Sequence, residues 1–383
     1  MRPFALASSL ALWAAAALCA AEGAMSAPEL LPGDAAVVLR VPRVPQARAA
    51  LFGSDLGRFW SDPDVQLFVK PAWDAALAHY AAARKQNPAL PALDDLAAAL
   101  GGELAVAVRL AENPAAPPAV SAVLGVADAQ AAARALAPLL KGQPLEEGKL
   151  VRLSGQDAGP AFVFKKGLLL FSSSAQDLDG MTARLGGAGD GALSTAPDWA
   201  KAHKLLGEAG RLELYAEIAP LVRLALARAD AEDRPQLETA IHKLGLDGVK
   251  TVLVQIGGRG AGLSLDAAIL WDAPKDSLVG RLLAPAPIPA GALKSVPARA
   301  TCVSAGRLDA PGLLAAIRGA LDEEKGKDFE AALGRAKETL GFDIEKELLP
   351  LLDEVWVSYD VGTREMFNLW SGITFTVGVK DAA

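Results

Sequence analysis

Few side chains in this sequence are spaced for chemistry. The three histidines, His79, His203 and His242, fall in three separate predicted helices, and none belongs to a run of Cys, His and carboxylate at metal-ligand spacing. Each therefore reads as a hydrogen-bonded core histidine or a solvent-facing one. Ser172-Ser173-Ser174 reads as a strand end running into a helix cap, because no G-x-S-x-G elbow surrounds it. A Ser-His-Asp arrangement drawn from distant segments stays open, since its members need no proximity in sequence. The glycine run GGRGAG, Gly257 to Gly262, follows a strand as a phosphate loop would. It precedes a second strand, however, so the helix N-terminus that holds a pyrophosphate is missing and a hairpin turn is expected. The acidic groups Asp94-Asp95, Asp322-Glu323-Glu324 and Glu345/Glu347 sit at helix starts or on solvated faces, where they complement the helix dipole. These residues give no expectation of a catalytic group, a cofactor or a metal site.

One stretch departs from this pattern. Met366, Phe367, Leu369 and Trp370 crowd a loop, Arg364 to Trp370, that joins two predicted strands. Large apolar side chains at a loop tip mark contact with a protein partner, a lipid surface or an apolar ligand, or else they pack on chain beyond Ala383.

The elements that must position these residues begin with the compartment. Arg2 precedes an uncharged stretch, Pro3 to Ala21, that ends in small residues, the pattern of a secretory signal peptide over residues 1–23. The alternative is a retained anchor, because the stretch approaches the ~20 residues of a membrane span. Lipid attachment at Cys19 is disfavoured by the bulky Leu18 before it. Without Cys19 the remaining thiol is Cys302, in an apolar strand, so an internal disulfide is excluded and core burial must supply stability. At 383 residues and 52% hydrophobic the chain can build that core in two lobes or one long sheet. The net charge of −7, with no basic run, argues against nucleic acid as a partner.

The stretch Leu30 to Val44, LLPGDAAVVLRVPRV, organises the rest, because a degraded copy returns as SVPARATCVSAGRLDAP from Ser295 to Pro311. In the first copy, helices follow over 45–60 and 62–84, with a kink or break near Lys70 caused by Pro71. A short helix over 93–100, a hairpin of ELAVAVRL and AVSAVLGVA, and an Asp128-capped helix come next. Three more strands, a helix to Leu185 and the linker GGAGDG close that part. The middle segment holds a strand, RLELYAEI, two helices and a hairpin, with Leu237, Ala240, Ile241 and Leu244 spaced to pack on the sheet. In the second copy EVWVSYDV matches ELAVAVRL, placing Glu354 on Glu103, and TFTVGVKDAA matches SAVLGVADAQ, placing Gly378 on Gly125 and Asp381 on Asp128. The copy stops at that cap, so a longer protein with at least one further helix is expected.

Pro32-Gly33-Asp34-Ala35 before Val37 to Arg40, Leu-Gly-Gly-Glu at Leu100 to Glu103, and Gly125-Val126-Ala127-Asp128 resemble a domain-of-unknown-function family of exported bacterial proteins. The resemblance covers most of the chain from Leu30 onward and implies export and a duplicated α+β architecture. It implies no reaction and no cofactor.

The expectation is an α+β protein built on a duplicated unit of antiparallel sheet with covering helices, the second copy incomplete at the C-terminus. Its parts are a first unit over 28–185, a middle segment over 186–294 and a partial second copy over 295–383. The function expected is a non-enzymatic binding or scaffold protein of the bacterial envelope, holding a protein partner or apolar ligand with no membrane span in the mature chain. A hydrolase whose site is assembled from distant segments is the alternative. An enzyme calls for a cleft of convergent polar groups with perturbed pKa values, a binder for an apolar groove or patch.

Overall fold

The structure is a computed structural model that describes residues 25–379 apart from 88–89, 141–142, 154–158, 208–211, 260–261, 273–276, 284–286, 301, 322 and 361–372. The signal stretch, the loop Arg364 to Trp370 and Asp381 lie outside the described residues. Contacts divide the chain into two compact units, one taking the described residues of Met1–Arg228 and Lys250–Leu270, the other Ala229–Val249 and Trp271–Ala383.

The fold is α+β, with a large antiparallel sheet. Its strands are β1 (Val37–Val41), β2 (Leu100–Arg109), β3 (Ala119–Val126), β4 (Leu150–Arg152), β5 (Ala161–Lys165), β6 (Leu168–Ser172), β7 (Leu212–Glu217), β8 (Val249–Arg259) and β9 (Gly262–Trp271). They are ordered β4-β5-β6-β3-β2-β1-β7-β8-β9. β1 and β7, the sixth and seventh strands in that order, pair antiparallel in register from Val37↔Ala216 to Arg40↔Glu213. On one face Val38, Ala105, Val123, Leu170, Tyr215 and Leu253 form a core beneath the helices Ala27–Leu30, Ala175–Leu185 and Pro197–Leu206. On the other face Val41, Leu104, Leu124, Phe162 and Leu169 are covered by the helix Ala129–Leu140 through Ala132, Leu136 and Leu140. Local chemistry sets these elements as expected. Asp128 Oδ1 accepts from the amides of Gln130 and Ala131, and Ser174 accepts from Asp177 N, so Ser172 to Ser174 does run from strand into cap. Lys166 and Gly167 both hold positive φ, 52° and 72°, in the tight turn from β5 to β6.

A second, three-stranded sheet comprises β10 (Cys302–Arg307), β11 (Leu352–Asp360) and β12 (Ile373–Val379), in that order. It repeats β1-β2-β3 in detail. β10 pairs β11 antiparallel as β1 pairs β2, and a register shift interrupts β11–β12 between Leu352 and Trp356 just as one interrupts β2–β3 between Leu100 and Leu104. Arg307 reaches Glu354 at 2.7 Å, and Arg40 reaches Glu103 at 2.5 Å, across the corresponding strands. The structure adds an occurrence that the sequence comparison misses. β7, two helices (Ile218–Arg228 and Arg234–Leu244), β8 and β9 follow the same order of strand, helices and paired strands. In each occurrence the helix after the first strand carries Pro in its first turn, Pro45, Pro220 or Pro311, where no intrahelical N–H is lost.

Three local expectations change. The helix Pro63–Gln86 runs through Pro71 without a break, and Pro71 is on the exposed side, where water can solvate the Leu67 carbonyl left without a donor. The helix expected over 93–100 ends at Ala99, and Leu100, Gly101 and Gly102 lie inside β2, at the register shift. The helix Arg234–Leu244 packs against the helices Leu278–Leu283 and Ala310–Ala320, with only Ile241 fully buried along it.

The shift at Gly102 lets β3 approach closely. A Cβ on Gly125 would stand 2.7 Å from Gly102 Cα and 3.0 Å from Glu103 N, both backbone atoms. Gly125→Ala should therefore destabilise the protein by about 1–3 kcal/mol, as overpacking does, read as a lower urea midpoint. An unchanged midpoint would mean that the two strands can separate at no cost.

Candidate functional site

The sequence-level candidates scatter. Met366, Phe367, Leu369 and Trp370 lie outside the described residues. His79 is exposed, and His242 is solvent-facing beside Asp247, 2.9 Å away. GGRGAG spans the end of β8 and the start of β9, with its middle outside the described residues. No group of three or more His, Cys, Asp or Glu fit to hold a metal ion occurs among the described residues.

His203 is different, and sequence spacing does not show why. It lies on the helix Pro197–Leu206 over β7, at the edge of a buried polar cluster. Its Nε2 is 3.2 Å from Glu213 Oε2 and its Nδ1 3.1 Å from the Trp199 carbonyl oxygen. Both ring nitrogens thus face acceptors. Arg40 Nη1 donates to Glu213 Oε2 at 3.0 Å, while Arg40 Nε donates to Glu103. Gln255 Nε2 donates to Glu213 Oε1 and to the Gly207 carbonyl, each at 3.0 Å, and Ala27 N donates to Glu103 Oε2 at 2.6 Å. Trp199 stacks on the imidazole at 4.1 Å and meets Tyr215 edge-on at 4.8 Å.

Burial governs the ionisation here. Glu213 is 1% exposed, and burial alone raises its pKa, but the His203 hydrogen bond and the Arg40 charge outweigh that and hold it below the usual carboxylate value. For Glu103 burial wins over Arg40, and its pKa is raised. Burial likewise pushes Tyr215 up, and its hydroxyl donates to Glu217 Oε1. The acids, Arg40 and His203 are engaged with one another beneath the helix, while Gln255 Oε1 and Thr251 Oγ1 are buried without a hydrogen-bond partner. The arrangement fastens helix to sheet and joins β2, β1, β7 and β8 by side chains.

The polar cluster has a counterpart on the opposite face. Alternation in LELYAE would bury Leu212, Leu214 and Ala216, yet β7 buries Glu213 and Tyr215 and leaves Leu214 exposed. β8 does the same, burying Thr251, Leu253 and Gln255 while Ile256 is exposed. In register, Leu214 lies opposite Val254 and Leu212 opposite Ile256. On β9, Ala268 and Leu270 join the core and Leu265 and Ile269 point the other way, Leu265 with 68% of its surface open. The outward face of β7, β8 and β9 is therefore apolar and exposed, whereas the same face of β2, β3 and β6 is covered by the helix Ala129–Leu140. A shallow pocket lined by Leu110, Ala111, Pro118, Pro220, Arg223 and Leu224 lies where the β2–β3 connection meets the helix Ile218–Arg228.

No family model matches the chain, and no curated protein is similar to it in sequence. A solved structure described as "Structure of crystal form III of TP0453" is similar at a TM-score of 0.29 and 10% identity, over 69% of this chain and 86% of that one. A likeness at that level carries no functional argument. Among the described residues no helix is long and apolar enough to cross a membrane.

Removing Arg40 would leave two buried carboxylates facing each other. Arg40→Met should cost about 3–5 kcal/mol, measured by urea unfolding at neutral pH. A pH series separates the carboxylates. Glu213 holds its proton more weakly folded than unfolded, so its contribution is full above its ordinary value near 4.5 and is lost as pH falls through the lowered folded value. Glu103 has the opposite sign, favouring the fold at low pH and losing that contribution as pH rises through its raised value. Glu213→Gln should therefore show a shallower loss of stability below about pH 4.5 than the parent chain. An equal slope would show that Glu213 is not coupled to folding.

Proposed function

We propose that the protein is an exported, non-enzymatic binding protein of the envelope that holds an apolar ligand or an apolar segment of a partner on the open face of β7, β8 and β9. One observation carries this reading: β7 and β8 turn Glu213, Gln255 and Thr251 inward beside Tyr215 and Leu253, while Leu214, Ile256, Leu265 and Ile269 face outward. A strand that buries a carboxylate and exposes leucine forgoes hydrophobic stabilisation of about 1.5–3 kcal/mol per large side chain. Such an arrangement is compensated when something apolar covers the exposed side, and contiguous exposed apolar patches mark interaction surfaces. The buried polar cluster supports binding over hydrolysis, since its acids and its histidine are engaged with one another beneath a helix.

The test uses the full chain and the fluorescent apolar probe N-phenyl-1-naphthylamine. Leu214→Gln combined with Leu265→Gln changes two exposed side chains, so circular dichroism should stay unchanged while probe affinity falls by about tenfold. Equal affinity in parent and variant would sink the reading. Turnover of a fluorogenic acyl ester that Glu213→Gln abolishes would favour a hydrolase instead.

A further inference from the structure

The large sheet ends differently on its two sides. At one end β4 is 3 residues long, Leu150–Arg152, and basic residues, Lys149 and Arg152, stand at both its ends. Short strands and basic side chains are how a sheet keeps an open edge from pairing with another chain. At the other end β9 has neither protection. It runs for 10 residues, Gly262–Trp271, without Lys, Arg or Pro, and its one charge, Asp266, is already engaged within its own chain. Leu265, Ala267 and Ile269 are exposed along its outward face.

The repeated order shows what a strand in this place takes. β3 and β9 are each the third strand of their occurrence, and β6 pairs along the outer edge of β3 from Ser121↔Ser172 to Gly125↔Leu168. Among the described residues no strand pairs the outer edge of β9. The sequence of β9 is complementary to itself when antiparallel. With a two-fold axis at Ala267, Leu265 lies opposite Ile269 of a second copy and Ile269 opposite its Leu265, while Asp266 lies opposite Ala268 and Ser264 opposite Leu270. Apolar side chains then meet on the outward face, and the two Asp266 carboxylates do not face each other. A register centred on Asp266 sets like charges directly opposite, which disfavours it.

We propose that β9 pairs with β9 of a second copy, antiparallel about Ala267, so that two sheets become one. The pairing uses the edge of the strand and does not depend on a ligand at its face. Sedimentation velocity of the full chain over a dilution series tests it, with a concentration-dependent dimer expected. Ala267→Lys sets two lysines opposite each other at the axis and should raise the dimer dissociation constant at least about tenfold, with circular dichroism unchanged. Should that variant fail to fold, Leu265→Lys changes an exposed side chain and reads the same contact. Leu214→Gln lies on β7, two strands in from the edge, and should leave the dimer intact. A parent chain that stays monomeric throughout the series overturns the proposal. So does a dimer that survives the lysine changes, or one lost with Leu214→Gln, since the copies would then meet face to face. Dimerisation without binding of the apolar probe would remove the ligand reading and leave this one standing.

Discussion

The Arg40–Glu213 pair is the constraint on which the large sheet depends. It sits where β1 and β7 meet, the one place where the β2–β6 half of the sheet joins the β8–β9 half. Around it the ordinary preference of a sheet is reversed. Arg40 needs Glu103 and Glu213, Glu213 needs His203 and Gln255, and these partners fix which side of β7 and β8 faces the helix Pro197–Leu206. A slip of β7 by one residue would bring Leu214 inward and turn Glu213 outward, leaving Arg40, His203 and Gln255 buried without their shared carboxylate. The apolar outer face is thus the other side of the same choice.

What was readable from the sequence was local. Asp128 and Ser174 as caps, Lys166-Gly167 as a turn and the β2–β3 pairing all depend on neighbours within a few residues, so residue types suffice to place them. The match of Ser295–Pro311 to Leu30–Val44 was readable too, because Pro and strand spacing survive in both. The occurrence built on β7 was hidden. Its first strand carries Glu213 and Tyr215 where β1 has only apolar residues and Arg40, so direct comparison of residue types fails while the order of elements persists. The buried cluster was equally out of reach, since its members come from positions 40, 103, 203, 213 and 255 and meet only after long-range strand pairing. The strand RLELYAEI was readable, but its alternation does not show that Glu213 is buried and Leu214 exposed.

The candidate surfaces follow from how the repeated order is finished differently each time. After β3 the chain continues into a helix that covers β2, β3 and β6, so that half has two dressed faces. On the same face of β7, β8 and β9, Leu214, Ile256 and Leu265 are exposed among the described residues. Likewise β6 fills the outer edge of β3, while β9 ends the sheet.

The separation of Arg40 from Glu213, 173 positions along the chain, also bears on how the molecule assembles. Hairpins such as β2–β3 and β5–β6 close short loops and need little more than their own turns. The β1–β7 seam closes a loop that contains every element between them, and such distant contacts carry the largest entropic cost of ordering. During synthesis from the N-terminus, β1 has its β2 edge filled long before β7 emerges. Its other edge, carrying Arg40, waits open through that interval, and there the nascent chain has the most need of protection from mispairing.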